Sequence, residues 1–247
     1  NAVPDLPRFR RRARQAEGRP AHARPIDAQR HGQPRTDRAA NPGGPRDGRA
    51  IGQDLSRWGQ RYSHMGLAYR DAAGWRIVHK LNHCESAEAS IYRQGLGEFF
   101  LDDMLEYQAG IVVLAPDVQA ALKPALADNR QLVRMHTRAY SMLAYPWSTR
   151  YQQSNQWAIE TLAMAQDPAA DTRERAQAWL RLHGYRPATL HITAFTRLGA
   201  RLTAAHIAFD DHPAERRYND RIDTVTVDSV FAWLARSGLG APAFSVR

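Results

Sequence analysis

Two residues stand where side-chain chemistry is possible: His64 on a short alternating stretch and Ser154 at the opening of a helix. Imidazole exchanges protons near neutral pH, and an attacking oxygen at a helix N-terminus has its anion stabilised by unpaired backbone N–H groups. The same N–H groups can serve an oxyanion. In Tyr62-Ser63-His64-Met65-Gly66-Leu67-Ala68-Tyr69-Arg70, the residues Met65, Leu67 and Tyr69 recur with period two, and Gly74 supplies a turn after Asp71-Ala72-Ala73. That pattern predicts a β-strand over 62–70. Its other face carries His64, Gly66 and Ala68, and the two small residues leave room for another element to reach the ring. A core histidine would show the same pattern. Ser154 is also a common helix-capping type, so a purely structural role fits it as well.

The elements that position these residues read as follows. Trp75 to Asn82 alternates and should be the hairpin partner of the His64 strand. The hydrophilic link His83-Cys84-Glu85-Ser86 leads to Ser90-Ile91-Tyr92 and a Gly95-Leu96-Gly97 break. Glu98 to Tyr107 is predicted as a short helix carrying Phe99, Phe100, Met104 and Leu105. Gly110 to Ala115 is wholly apolar, which predicts a strand buried on both faces and stopped by Pro116. A helix is expected over 117–127, interrupted by Pro124, and Asp128 is placed to cap a longer helix through Leu143.

Pro146-Trp147-Ser148-Thr149 is a turn, and the Ser154 helix runs to about Gln166 with Ala158, Ile159, Leu162, Ala163 and Ala165 on its apolar face. Asp171-Thr172-Arg173-Glu174 resembles a capping box before a helix stopped by Gly184. Leu190 to Phe195 and Arg201 to Phe209 read as paired strands around Leu198-Gly199. Asp223 to Val227 reads as a last strand, with Asp228 capping a final helix that ends near Gly238. No internal repeat is visible.

The chain of 247 residues, 43% of them hydrophobic, can bury one good core. No apolar run reaches the roughly 18 residues of a membrane span. No charged-then-apolar signal segment opens the given residues; the first is Asn1, which is compatible with a leader removed ahead of it. The single cysteine, Cys84, excludes an internal disulfide framework.

The net charge of +9 suggests nucleic acid until it is located. Residues 1–50 hold 12 arginines against five acids, whereas residues 51–247 hold 22 basic and 20 acidic groups and are nearly neutral. The first fifty residues also contain seven of the 14 prolines and almost no large apolar side chains. We therefore expect a disordered Arg/Pro-rich tail over 1–50 and one folded domain over 51–247. The tail lacks interleaved aromatics for base stacking, so no specific nucleic-acid partner is expected.

His64-Met65-Gly66-Leu67 resembles the His-x-Gly-hydrophobic strand of circularly permuted papain-like proteins, the branch that holds NlpC-type cell-wall peptidases and lecithin:retinol-acyltransferase-like enzymes. Gln153-Ser154-Asn155-Gln156-Trp157 is similar to the second motif of that branch, with serine where its nucleophilic cysteine stands. Closer still, Arg150-Tyr151-Gln152-Gln153-Ser154-Asn155-Gln156-Trp157 and Phe209-Asp210-Asp211-His212-Pro213 resemble a bacterial family known as domain of unknown function 2145. That likeness covers Asp54 to about Val246.

The resemblance implies an α+β fold, with an antiparallel half-barrel sheet packed on a nucleophile helix. It implies His64 as general base, Ser154 as attacking group and His79 or Asn82 as the residue orienting the imidazole. Tyr62, Gly66, Tyr151 and Asn155 would lie on the substrate side, with Trp147 and Asp211 at the site's edge. The activity implied is a cell-envelope hydrolase or acyltransferase acting on an amide or ester, such as a small peptide or lipid-like substrate. The alternative is a catalytically inactive fold that binds a peptide or lipid. A hydroxyl ionises far less readily than a thiol, so no thiolate–imidazolium pair can form at Ser154. The resemblance also implies export to the periplasm or envelope.

His79, His83 and Cys84 have ligand-type side chains, but their i, i+4 spacing suits a helix while the segment reads as strand and loop; no metal and no cofactor are expected.

Overall fold

The computed structural model describes residues 55–84, 86–100 and 109–246. The expected tail over 1–50 and most of the helix expected over Glu98–Tyr107 lie outside those residues. What is described is a mixed α/β arrangement with three small antiparallel sheets.

The first sheet has three strands in the order β1 (Leu67–Asp71), β2 (Gly74–Asn82), β3 (Ala89–Gly95). β1 and β2 form the expected hairpin, with Leu67 opposite Val78 and Asp71 opposite Gly74. Gly74 takes a φ of 117°, a conformation that L side chains rarely adopt, which explains a glycine at the turn. The ladder begins at Leu67 rather than Tyr62, so His64 stands on an approach segment just ahead of it. β3 pairs antiparallel along β2 with His79 opposite Tyr92, and it is longer than Ser90-Ile91-Tyr92 suggested. A four-residue helix, α1 (Leu96–Phe99), follows directly.

β4 (Ala109–Ile111) departs from expectation. Among the described residues it pairs only with β7 (Phe244–Val246), Leu114 adds a single bridge to Gly240, and Val113 is 43% exposed. The apolar run is therefore an edge element half covered by the C-terminal segment, not a strand buried on both faces.

α2 (Pro116–Ala127) accommodates Pro124, and Asp128 caps only the single turn α3 (Asn129–Leu132), its carboxylate accepting from Arg130 N at 2.8 Å. The helix expected through Leu143 does not form. Residues 138–140 instead run beside the entrance to β3, where Ala89 N donates to Arg138 O and Tyr140 N to Ala87 O. Those long-range bonds outweigh a local helical preference.

α4 (Ser154–Gln166) is the central helix, buried continuously from Ser154 to Met164. It packs on β2, α2 and α5 (Arg173–Leu182). Trp157, Ile159, Leu162, Val78, Ile91, Leu126, Leu132, Trp179 and Trp233 share its main apolar cluster. α5 is capped by Thr172, one residue later than the expected Asp171; its hydroxyl accepts from Arg175 N.

The paired strands expected between 190 and 209 are overturned. β5 (Ala188–His191) pairs with β6 (Arg221–Thr224), and α6 (Ala194–Thr203) lies between them, capped by Thr193. The short helix α7 (Ala214–Tyr218) leads into β6. α8 (Val227–Arg236) is capped by Thr226 and Ser229 in a reciprocal box. Asp228 is not the cap: its carboxylate accepts from the backbone N–H groups of Arg61 and Tyr62, at 2.8 and 3.3 Å.

Candidate functional site

Register alone assembles the histidine cluster. Leu67 faces Val78, so Gly66 lies beside His79 one step beyond the ladder, and Gln94 stands diagonal to His79 on the same face of β3. A methyl group on Gly66 would lie 2.4 Å from Ile77 Cγ2 and 3.4 Å from His79 Cβ. Glycine thus lets the His64 segment close onto the sheet. His64 Nε2 then meets His79 Nδ1 at 2.9 Å, and His79 Nε2 meets Gln94 Oε1 at 2.6 Å. Gln94 Nε2 in turn donates to Glu98 Oε1 at 3.4 Å. Phe99 covers both imidazoles, with ring centroids 6.0 Å from His64 and 5.0 Å from His79.

Loss of water around the rings sets their protonation. Burial lowers His79 to about 4, opposed by its hydrogen bond to Gln94. Burial, then the proximity of His79, lowers His64 to about 3, although part of the residue still reaches solvent. Both imidazoles are neutral at pH 7, as two cationic rings in contact would repel. A neutral ring has a lone pair to offer, but one this depressed is a poor proton acceptor until an anionic neighbour develops.

Ser154 is the first residue of α4 and is 6% exposed. The preceding Gln153 takes the capping position without using its side chain as a cap; it donates instead to Thr224 Oγ1. The first backbone N–H groups of α4 therefore have no side-chain cap. Burial pushes the Tyr140 phenol above its ordinary pKa, and the neighbouring Ser154 hydroxyl opposes that shift. Asn155 joins the two halves of the site: its Oδ1 accepts from Met65 N at 3.2 Å, while its Nδ2 donates to Val225 O at 3.1 Å. The neighbours of that contact are His64 on one strand of chain and Ser154 on the other. Among the described residues no hydrogen bond joins His64 to Ser154 directly.

The model of the DUF2145 family, described as uncharacterized proteins conserved in bacteria, matches residues 49–234. The chain belongs to this family. The DUF2145 match begins beside the composition change at residue 50, and it contains His64, His79, Gln94 and Ser154. No curated protein and no solved structure matches the chain.

The remaining expected site residues of this DUF2145 member are spread more widely. Asn82 lies three positions beyond His79, on the opposite face of β2, and donates to His83 O at 3.3 Å. His79 is the residue in contact with His64. Tyr62 docks on α8 and β7: its ring stacks tilted on Phe231 and its hydroxyl shares a 3.0 Å hydrogen bond with Ser245. Tyr151 reaches Asp210, and Asp211 is occupied structurally, accepting from Tyr145 N at 2.8 Å and pairing with His212 at 2.9 Å. Trp147 lines an open cleft of about 480 Å³ with Tyr145, Pro187, Thr189, Arg216 and Asp223, among others, and neither His64 nor Ser154 borders it. His83 bonds Ser90 and Cys84 is an exposed free thiol.

Gln94, Glu98 and Tyr140 were not singled out in the sequence. Gln94 could have been found by extending the hairpin register across β3.

Proposed function

We propose that this protein is an acyl-transfer enzyme, a hydrolase or acyltransferase acting on an amide or ester, with Ser154 as attacking group and His64 as general base. The observation that carries the reading is the chain His64–His79–Gln94, anchored beside the Ser154 helix by the Asn155–Met65 hydrogen bond. His64 takes the hydroxyl proton as Ser154 Oγ bonds the carbonyl carbon; the developing oxyanion faces the uncapped N–H groups at the start of α4. The proton then passes to the leaving amine or alcohol, and water or a second nucleophile releases the acyl group. The kinship to permuted papain-like proteins carried by His64-Met65-Gly66-Leu67, with a small peptide or lipid-like substrate in the cell envelope, belongs to this same proposal.

A second reading is a binding module without turnover. It is favoured by the burial of Ser154 and by the lack, among the described residues, of a direct bond to His64. An activated ester separates the two. Wild-type protein should acquire one acyl group, mapped to Ser154 by mass spectrometry, and His64→Ala should not. Wild type and Ser154→Cys both unmodified, with the fold intact, would refute the enzyme reading.

A further inference from the structure

We propose that Gln94, held by Glu98, is a positioning residue that locks His79 and His64 into single tautomers and leaves Nδ1 of His64 as the proton-accepting nitrogen. The Glu98 carboxylate oxygen can only accept, so the Gln94 amide turns its Nε2 toward it at 3.4 Å. The reverse orientation would set two acceptor oxygens against each other. Oε1 of Gln94 therefore faces His79, and because it too can only accept, the 2.6 Å contact requires a proton on His79 Nε2.

A neutral imidazole carries one proton, so His79 Nδ1 is bare. The 2.9 Å contact from His64 Nε2 must then be a donation into it. His64 has spent its one proton at Nε2, and its lone pair stands at Nδ1. Each link has a single consistent assignment, and the assignment originates at Glu98, four residues beyond Gln94 on the turn that also delivers Phe99.

The inference rests on the acyl-transfer reading only for its kinetic consequence; the tautomers are measurable without any reaction. The full chain labelled with ¹⁵N-histidine should show His64 and His79 both as Nε2–H tautomers at pH 7. In Gln94→Leu the acceptor is gone, and His79 should acquire a substantial Nδ1–H population that also disturbs His64. Gln94→Glu loses the donor to Glu98 and sets a second carboxylate against it, but it keeps an acceptor facing His79 Nε2 and should keep the Nε2–H pattern.

If Ser154 is acylated as proposed, its rate should fall at least about tenfold in Gln94→Leu, as expected when a base loses its correct tautomer, and recover in Gln94→Glu. An Nδ1–H tautomer at either ring of wild type overturns the proposal, as do tautomers unchanged in Gln94→Leu. Tautomers as expected, with no acylation of Ser154, uphold the lock and reject the enzyme.

Discussion

Acid should weaken this fold through His79 in a defined window. His79 is 2% exposed, packed between Tyr92 and Phe99, with each ring nitrogen already engaged by a neighbour. Its pKa falls from 6.5 to about 4 on folding, mainly because burial disfavours the charged ring. Between those values the unfolded chain binds a proton that the folded chain does not. Stability is therefore full above pH 6.5, declines as pH falls toward 4, and levels off below. At about 1.4 kcal/mol per pKa unit, the difference amounts to about 3 kcal/mol for this one ring. His64 shifts in the same direction, and its partial exposure to solvent blunts its share.

The assay is urea unfolding from pH 7.5 to 3.5 on wild type and His79→Gln. Carboxylates titrate in both proteins, so the difference between the two curves isolates the ring. Wild type should lose about 3 kcal/mol more than the variant across the window. Parallel curves between pH 6.5 and 4 would refute the reasoning, and so would an imidazolium signal from His79 in the folded protein at pH 5.5.

Arg173→Met should cost at least about 3 kcal/mol in urea unfolding, because it strands the fully buried Glu160 carboxylate without its cation. Gly66→Ala should cost roughly 1–3 kcal/mol by forcing Ile77 aside, read in the thermal midpoint, and should weaken the His64–His79 contact seen by NMR. Asn155→Ala should cost roughly 1–3 kcal/mol and speed hydrogen exchange at Met65, whose backbone N–H loses its acceptor. Cys84 should react with a maleimide in the native protein as fast as an exposed thiol in a peptide.

What the sequence made legible was local. The β1–β2 hairpin followed from alternation closed by Gly74, and α4 followed from an apolar face bounded by polar residues. The failures arose where distant partners decide. Residues 133–143 carry helix-compatible side chains, yet Arg138 and Tyr140 bond the chain beside β3. Leu190 to Phe195 and Arg201 to Phe209 pass for paired strands around Leu198-Gly199, but Thr193 caps a helix that runs through that turn and β5 finds its partner in β6 instead. Of the site, His79 was legible because it shares a hairpin with the His64 segment. Gln94 was within reach only by carrying the hairpin register across to β3, and Tyr140 was not, since it comes from a segment whose path is set by bonds beside β3.

The polar interior of α4 explains how this site is held in place. His79 and Lys80 are adjacent on β2 and point to opposite faces. Lys80, fully buried, donates to Gln152 Oε1 at 2.7 Å and to Thr137 O at 2.6 Å. Gln152 donates to Glu160 Oε2 at 2.6 Å, and Glu160 is clamped by Arg173 and Gln177. Gln152 lies two residues before Ser154, and Glu160 lies on the same helix. The network thus fixes the strand that carries His79 against the helix that carries Ser154, with nearly every donor matched to an acceptor. An apolar interface of equal volume could slide by a fraction of a turn at little cost. Directional bonds at Gln152 and Glu160 cannot, because a slide would leave buried charges unpaired. The conserved-volume cost of burying Lys80, Glu160 and Arg173 together is therefore tied to one register between β2 and α4, the register on which any chemistry between His64 and Ser154 depends.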